Sequence, residues 1–210
     1  MQIDLVFSIL VLIFSAVFHE VAHGYAAYLL GDNTAKYQGR LSLNPLKHLE
    51  WFGSFILPLL SYLFGGFIIG WAKPVPYNPY NLSKRVWGLP AQAGEAIVAF
   101  AGPLTNICIA LFFGLLLRFG AFNSFGDSFM YISSMIIFIN LVLATFNLVP
   151  IPPLDGSKIL FSVLPYSMRG VREFLERNSF ILVILFVFFL WDYILPVVSL
   201  EFHLITGLLA

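Results

Sequence analysis

Charge is scarce in this chain. Of its 210 residues only 10% are Asp, Glu, Lys or Arg, and the formal net charge is zero. A soluble domain carries roughly a quarter charged residues, so a water-solvated globule is excluded. The basic surface that a nucleic-acid partner requires is missing as well. Cysteine is nearly absent: Cys108 is the single copy, which excludes a disulfide within the chain. It reads as a small core residue of an apolar helix. The N-terminus has neither a basic region nor a small-residue cleavage site before its first apolar run. Residues 1–30 therefore read as mature structure rather than a removable signal peptide.

What fills the chain is apolar. Hydrophobic residues make up 60% of it, Phe alone contributes 23, and the mean hydropathy is +0.89. This is the composition of a polytopic membrane protein, and the length suits a single domain over residues 1–210. Five apolar segments can be traced: about 3–30, 51–71, 92–119, 128–149 and 179–198. Gly31-Asp32-Asn33 stops the first, and Pro150, Pro152 and Pro153 stop the fourth. Between them, 34–50 alternates polar and apolar residues and suits one or two small strands. Lys73 to Pro79 is too rich in proline for a helix and suits an edge strand. Residues 157–176 read as one short amphipathic piece.

Basic residues set the topology. Of the eleven Lys and Arg residues, all but Arg118 fall in the polar regions 34–50, 73–85 and 158–177. The positive-inside rule places those regions in the cytoplasm and the N-terminus outside. Segment 51–71 then has both ends on one side. Pro58 and Gly65-Gly66 allow it to dip in and return, since broken backbone is tolerated where it lines a protein-enclosed cavity. The expected architecture is all-α: about four full transmembrane helices, one re-entrant segment, and short edge strands near the active site. Both termini are then extracytoplasmic, in a multi-pass protein of the cell membrane.

Against this apolar background the pentapeptide His19-Glu20-Val21-Ala22-His23 stands out. Imidazoles and a carboxylate are costly inside a bilayer. Histidines four apart share a helix face and can reach one zinc ion. Glu20 is then placed to take a proton from water at that metal. The alternative is a pair of hydrogen-bonded core histidines. A catalytic zinc site usually needs a third protein ligand, and the strongest candidate is Asp155 in Leu154-Asp155-Gly156. Under the topology above, it and the histidines approach the cytoplasmic side at similar depth. On spacing alone, Asp155-Gly156 is equally readable as a turn or helix cap.

HEVAH, Ala101-Gly102-Pro103-Leu104-Thr105-Asn106 and Asn147 to Gly156 (NLVPIPPLDG) together resemble the site-2 protease family of intramembrane zinc metalloproteases. Arg40 to Glu50 and Gly70 to Pro79 are similar to a compact subgroup lacking PDZ and CBS domains. The resemblance spans residues from about 8 to about 165. It implies one Zn2+ per chain held by His19, His23 and Asp155, with Glu20 as general base. Asn147 matches a family position that helps stabilise the reacting carbonyl; a helix-terminal hydrogen bonder is the alternative. Asn106 matches a position near the active site, or it serves interhelical bonding alone. The 73–79 strand resembles a substrate-contacting strand, against a proline-stiffened loop. His48 reads as a surface histidine.

The function so implied is zinc-dependent hydrolysis of peptide bonds in or near substrate transmembrane segments. The partners are transmembrane protein substrates and the lipid bilayer. Two rivals differ in class. A metal-ion transporter would spread acidic and histidine residues along several depths, whereas this chain concentrates them at one level. A catalytically silent partner-binding relative would have lost the glutamate or a ligand, whereas all four residues are present.

Overall fold

In lipid every backbone N–H and C=O must be bonded within the protein, and a long continuous apolar run achieves this by itself as a helix. The computed structural model describes residues 2–51, 53, 56, 72–82, 92–120 and 126–208. Three of its helices are long and apolar enough to cross a membrane. They are α1 (Gln2–Leu29), α3 (Gln92–Arg118) and α4 (Asp127–Asn147). At 1.5 Å per residue each is long enough to span a hydrocarbon core of about 30 Å, and α1 and α3 exceed it. Only about a third of each apolar window is buried in the protein. Phe14, Phe18 and Phe112 point outward instead, as side chains solvated by lipid can. Cys108 is also exposed, which corrects the core assignment.

The remaining helices are short: α2 (Thr34–Tyr37), α5 (Asp155–Val163), α6 (Arg169–Arg177), α7 (Ser179–Leu185) and α8 (Trp191–Thr206). The amphipathic piece expected over 157–176 is therefore two helices. Pro165 follows Leu164 at the end of α5, where it cannot continue the helix. The last apolar run is broken as well. A π-helical turn, Phe186–Leu190, separates α7 from α8, and the two stretches meet at 67°. They make a fourth candidate span if counted as one.

No strand occurs among the described residues. The alternating stretch 34–50 forms α2 and a 3-10 turn, Pro45–His48, which Asn44 caps by accepting from the Leu46 N–H. Residues 72–78 are neither helix nor strand, and no strand pairing is found for them among the described residues. Pro74 and Pro76 supply no donor, and side chains take up several of the other backbone groups, as set out below. The expected re-entrant segment, 51–71, lies almost wholly outside the described residues.

Helix α3 is central and packs against α1, α4, α5 and α8. Its contact with α5 carries Asp155 towards α1. One buried cluster joins Ala110 of α3, Ile137 and Leu141 of α4, and Ile194, Val198 and Phe202 of α8. A second joins Ala27, Val98 and Leu82, with Tyr77 against it, and so fixes the segment 72–82 beside α1. Gly156 permits the tight entry into α5. A Cβ there would run into the Leu148 carbonyl and lie 2.5 Å from the Val149 oxygen, and backbone cannot yield as a flexible side chain can.

Candidate metal centre

His19 and His23 lie one helical turn apart on α1, with ring centroids 4.6 Å apart and planes at 86°. Both are buried, and so is Asp155 at the start of α5. The Nδ1 of His23 donates to the Val98 carbonyl at 2.6 Å. A carbonyl only accepts, so that nitrogen carries the hydrogen and Nε2 keeps its lone pair. The Nδ1 of His19 donates in the same way to Asn106 Oδ1 at 2.6 Å. Both Nε2 atoms then face Asp155 Oδ2, each at 3.1 Å.

Three acceptor atoms thus converge with no hydrogen left to share. Such a group is stable only around a cation or with an imidazole protonated. A tetrahedral zinc with bonds of about 2.0–2.1 Å spaces its donors by about 3.3 Å, and the 3.1 Å separations fall close to that. Gly102 of α3 completes the fit. A Cβ there would lie 2.5 Å from both Nε2 atoms, so only glycine leaves those nitrogens accessible. Gly102→Ala is expected to weaken zinc binding at least tenfold, on the scale of losing an outer-shell partner (about 10–100-fold). Competition with a chelator of known affinity reads this directly.

Around these three residues is a cavity of about 140 Å³ lined by Glu20, Pro74, Val75, Tyr77, Asn147 and Lys158 among others. The Val75 N–H donates to Glu20 Oε2 at 2.7 Å, which holds the carboxylate at the cavity wall. Asn147 lines the same cavity while its Nδ2 donates to the Leu143 carbonyl one turn back. Lys158 places its Nζ 3.7 Å from Asp155 Oδ1 and 5.4 Å from the centroid of the Tyr77 ring. It thereby occupies the carboxylate oxygen that the histidines do not face. Its cation–π contact joins α5 to the segment 72–82.

That segment is held by side chains rather than by a sheet. The Arg40 guanidinium donates to the carbonyls of Lys73 and Pro74 at 2.8 and 3.2 Å. Asp32 Oδ2 accepts from the Asn78 N–H at 2.8 Å, and its Oδ1 accepts from Asn81 Nδ2 at 2.9 Å. The Lys73 N–H donates to the carbonyl of His48 at 2.8 Å. His48 is itself buried, correcting the surface reading, and its Nε2 meets the Ser42 carbonyl rather than the cavity. Burial raises the Asp32 pKa, but hydrogen bonds from Thr34, Asn81 and Asn78 outweigh it and hold the carboxyl below its usual value. The stability this lends is complete above the ordinary carboxylate pKa of about 3.9 and is lost as pH falls through the lower folded value. Asp32→Asn should accordingly lower the thermal midpoint at neutral pH. The gap from the parent protein should close as pH drops below about 4, as a pH series of melting curves would show.

The structure thus brings together His19, His23, Glu20, Asp155 and Asn147, every site residue named from the sequence. Gly102, Lys158, Arg40 and Asp32 also bear on the site without a signal of their own in the sequence. Gly102 lies inside the Ala101–Asn106 motif, yet its role depends on which face of α3 meets α1.

A helical membrane protein with an HExxH pair and an acidic third donor on a separate element is a membrane metalloprotease in class. The profile of peptidase family M50 matches residues 7–132 and 121–191. "Putative zinc metalloprotease YwhC" of Bacillus subtilis is 41% identical over 197 residues, covering 89% of this chain and 83% of that protein. MJ0611 of Methanocaldococcus jannaschii and Rip2 of Mycolicibacterium smegmatis bear the same designation. MJ0611 is 33% identical, over 73% of this chain and 72% of its own length. Rip2 is 30% identical, over 82% of this chain and 63% of its own. No solved structure matches. The chain belongs to peptidase family M50, the site-2 protease family, and is a zinc-dependent intramembrane protease.

Proposed function

We propose that His19, His23 and Asp155 hold the zinc, that Glu20 is the general base and acid, and that Asn147 assists the reacting carbonyl. The observation that carries this reading is the convergence of three buried acceptors, with both histidine Nδ1 atoms already committed. When bound, zinc supplies the Lewis acidity that brings the ionisation of water towards neutral pH and polarises a carbonyl. Glu20 takes a proton from the attacking water. With Oε2 held by the Val75 N–H, Oε1 is the oxygen left for it. Glu20 then returns that proton to the amide nitrogen as the C–N bond breaks. Asn147 spends one N–H on Leu143, and its second amide hydrogen is available to the carbonyl oxygen.

The substrates proposed are transmembrane segments or their cytoplasmic borders, unwound locally against residues 72–79. A helical peptide bond is covered and internally bonded, so cleavage requires unwinding, and this segment forms a cavity wall against which the unwound chain can lie. Val75 and Tyr77 line the cavity from this segment. The single domain over 1–210 crosses the cell membrane about four times, the bent α7–α8 pair being the fourth, with the site towards the cytoplasm. The basic loops support that orientation.

Reconstitution with a model transmembrane substrate tests the proposal. Cleavage in the cytoplasmic third of the substrate helix, abolished by a zinc chelator, is the expected result. Metal flux across the vesicle without cleavage would favour the transporter instead.

A further inference from the structure

We infer that Asn140, whose hydrogen bonds go to Asn106, Ser15 and Ile136 rather than to either histidine, is a positioning residue for the zinc site: it fixes the amide orientation of Asn106 and through it the tautomer of His19. Asn140 lies in α4 with no exposed surface, and Asn106 on α3 is equally buried. An amide at such a depth is costly unless its atoms are bonded, and each bond here dictates the next. The Ile136 carbonyl can only accept. The Asn140 atom 2.8 Å from it is therefore Nδ2, which also reaches Ser15 Oγ at 2.9 Å. That turns Asn140 Oδ1 towards Asn106, where it must meet a donor, and Asn106 Nδ2 lies 2.8 Å away. The same Nδ2 faces the Ser15 carbonyl at 3.4 Å, a weaker constraint of the same sign. Asn106 is left to present Oδ1 to His19, and His19 must carry its hydrogen on Nδ1.

The consequence for the metal is direct. With the hydrogen on Nδ1, the lone pair of Nε2 points at the site shared with His23 and Asp155. If the Asn106 amide turned over, its NH2 would face Nδ1 and the hydrogen would move to Nε2. A ligand nitrogen would become a donor, and zinc would have to pay for reversing it. His23 needs no such relay, because a backbone carbonyl cannot turn over. The relay also joins α4 to α1 and α3 through polar atoms alone, a second use that the test must separate from the first.

The inference rests on His19 being a zinc ligand, as proposed above. The test is zinc affinity of the full chain in detergent, measured by competition against a calibrated chelator. Asn140→Leu and Asn140→Ala remove the acceptor that orients Asn106 and are expected to raise the zinc Kd about 10–100-fold. Asn140→Asp keeps an acceptor facing Asn106 and is expected to stay within about threefold of the parent, well short of that 10–100-fold loss. Leu141→Ala, a buried neighbour on α4 without polar contacts to the site, should lower thermal stability and leave the Kd unchanged.

On the zinc-loaded protein, the Nδ1 hydrogen of His19 should exchange with solvent faster in Asn140→Ala, while that of His23 does not change. Should the leucine variant fail to fold, the contrast between alanine and aspartate decides. Equal Kd values for parent, alanine and leucine variants would overturn the inference. So would equal losses in the alanine, aspartate and Leu141 variants, which would reduce Asn140 to interhelical glue. His19→Ala is run alongside: zinc affinity unchanged in that variant would sink the ligand assignment itself rather than the relay.

Discussion

Glu20→Gln is expected to slow peptide hydrolysis by about 10²–10⁴-fold, the range that general acid–base groups contribute. Zinc content should remain near the parent value. The reason is positional. Glu20 lies beside His19 on α1 but is not among the three converging donors, and its Oε2 is held by the Val75 N–H. Glutamine is close to glutamate in size, yet it cannot take up a proton near neutral pH. A variant that retained zinc and cut a transmembrane substrate at the normal rate would remove Glu20 from the chemistry. One that lost zinc as well would make Glu20 part of the metal's support rather than its base.

Asp155→Ala should have the largest effect on the metal. Zinc affinity is expected to fall by more than about 100-fold, beyond what loss of an outer-shell partner produces, and proteolysis should fall with it. Two neutral imidazoles would remain as donors, with no anionic donor among them; the Glu20 carboxylate lines the cavity but is not one of the converging groups. The helix should survive the change. Entry into α5 depends on the close approach of Gly156 to the end of α4 and on Ser157 Oγ donating to the Leu154 carbonyl. Metal analysis after dialysis, with circular dichroism as the control for folding, separates loss of zinc from loss of structure.

These expectations draw on the sequence unevenly. HEVAH declared half the site because helical spacing alone puts His19 and His23 on one face. Asp155 needed its motif, since an Asp-Gly pair by itself is equally a turn. The three long helices were legible because a continuous apolar run of about 20 residues can satisfy its backbone in lipid as a helix, whereas a barrel strand would alternate. The break at Phe186–Leu190 was not, as no Gly or Pro marks it and Pro196 lies further on, inside α8. The strand expected at 73–79 is not found among the described residues: 72–78 carries no regular structure and Pro79 opens a 3-10 turn. Arg40, Glu20 and Asp32 occupy backbone groups that a ladder would have used. Asn140 gave no local signal, because its role exists only once α4 is registered against α1 and α3. Side chains that act across helices are hidden in this way, whereas those that act along one helix are not.

A zinc site split between α1 and the start of α5 has a distinct spectroscopic signature, and X-ray absorption at the zinc edge, recorded on the purified chain and on Asp155→Ala, tests for it. Two imidazole nitrogens with oxygen and no sulfur are expected in the parent, and loss of bound zinc in the variant. Sulfur scattering from Cys108, or the same zinc spectrum in both proteins, would rule the split site out.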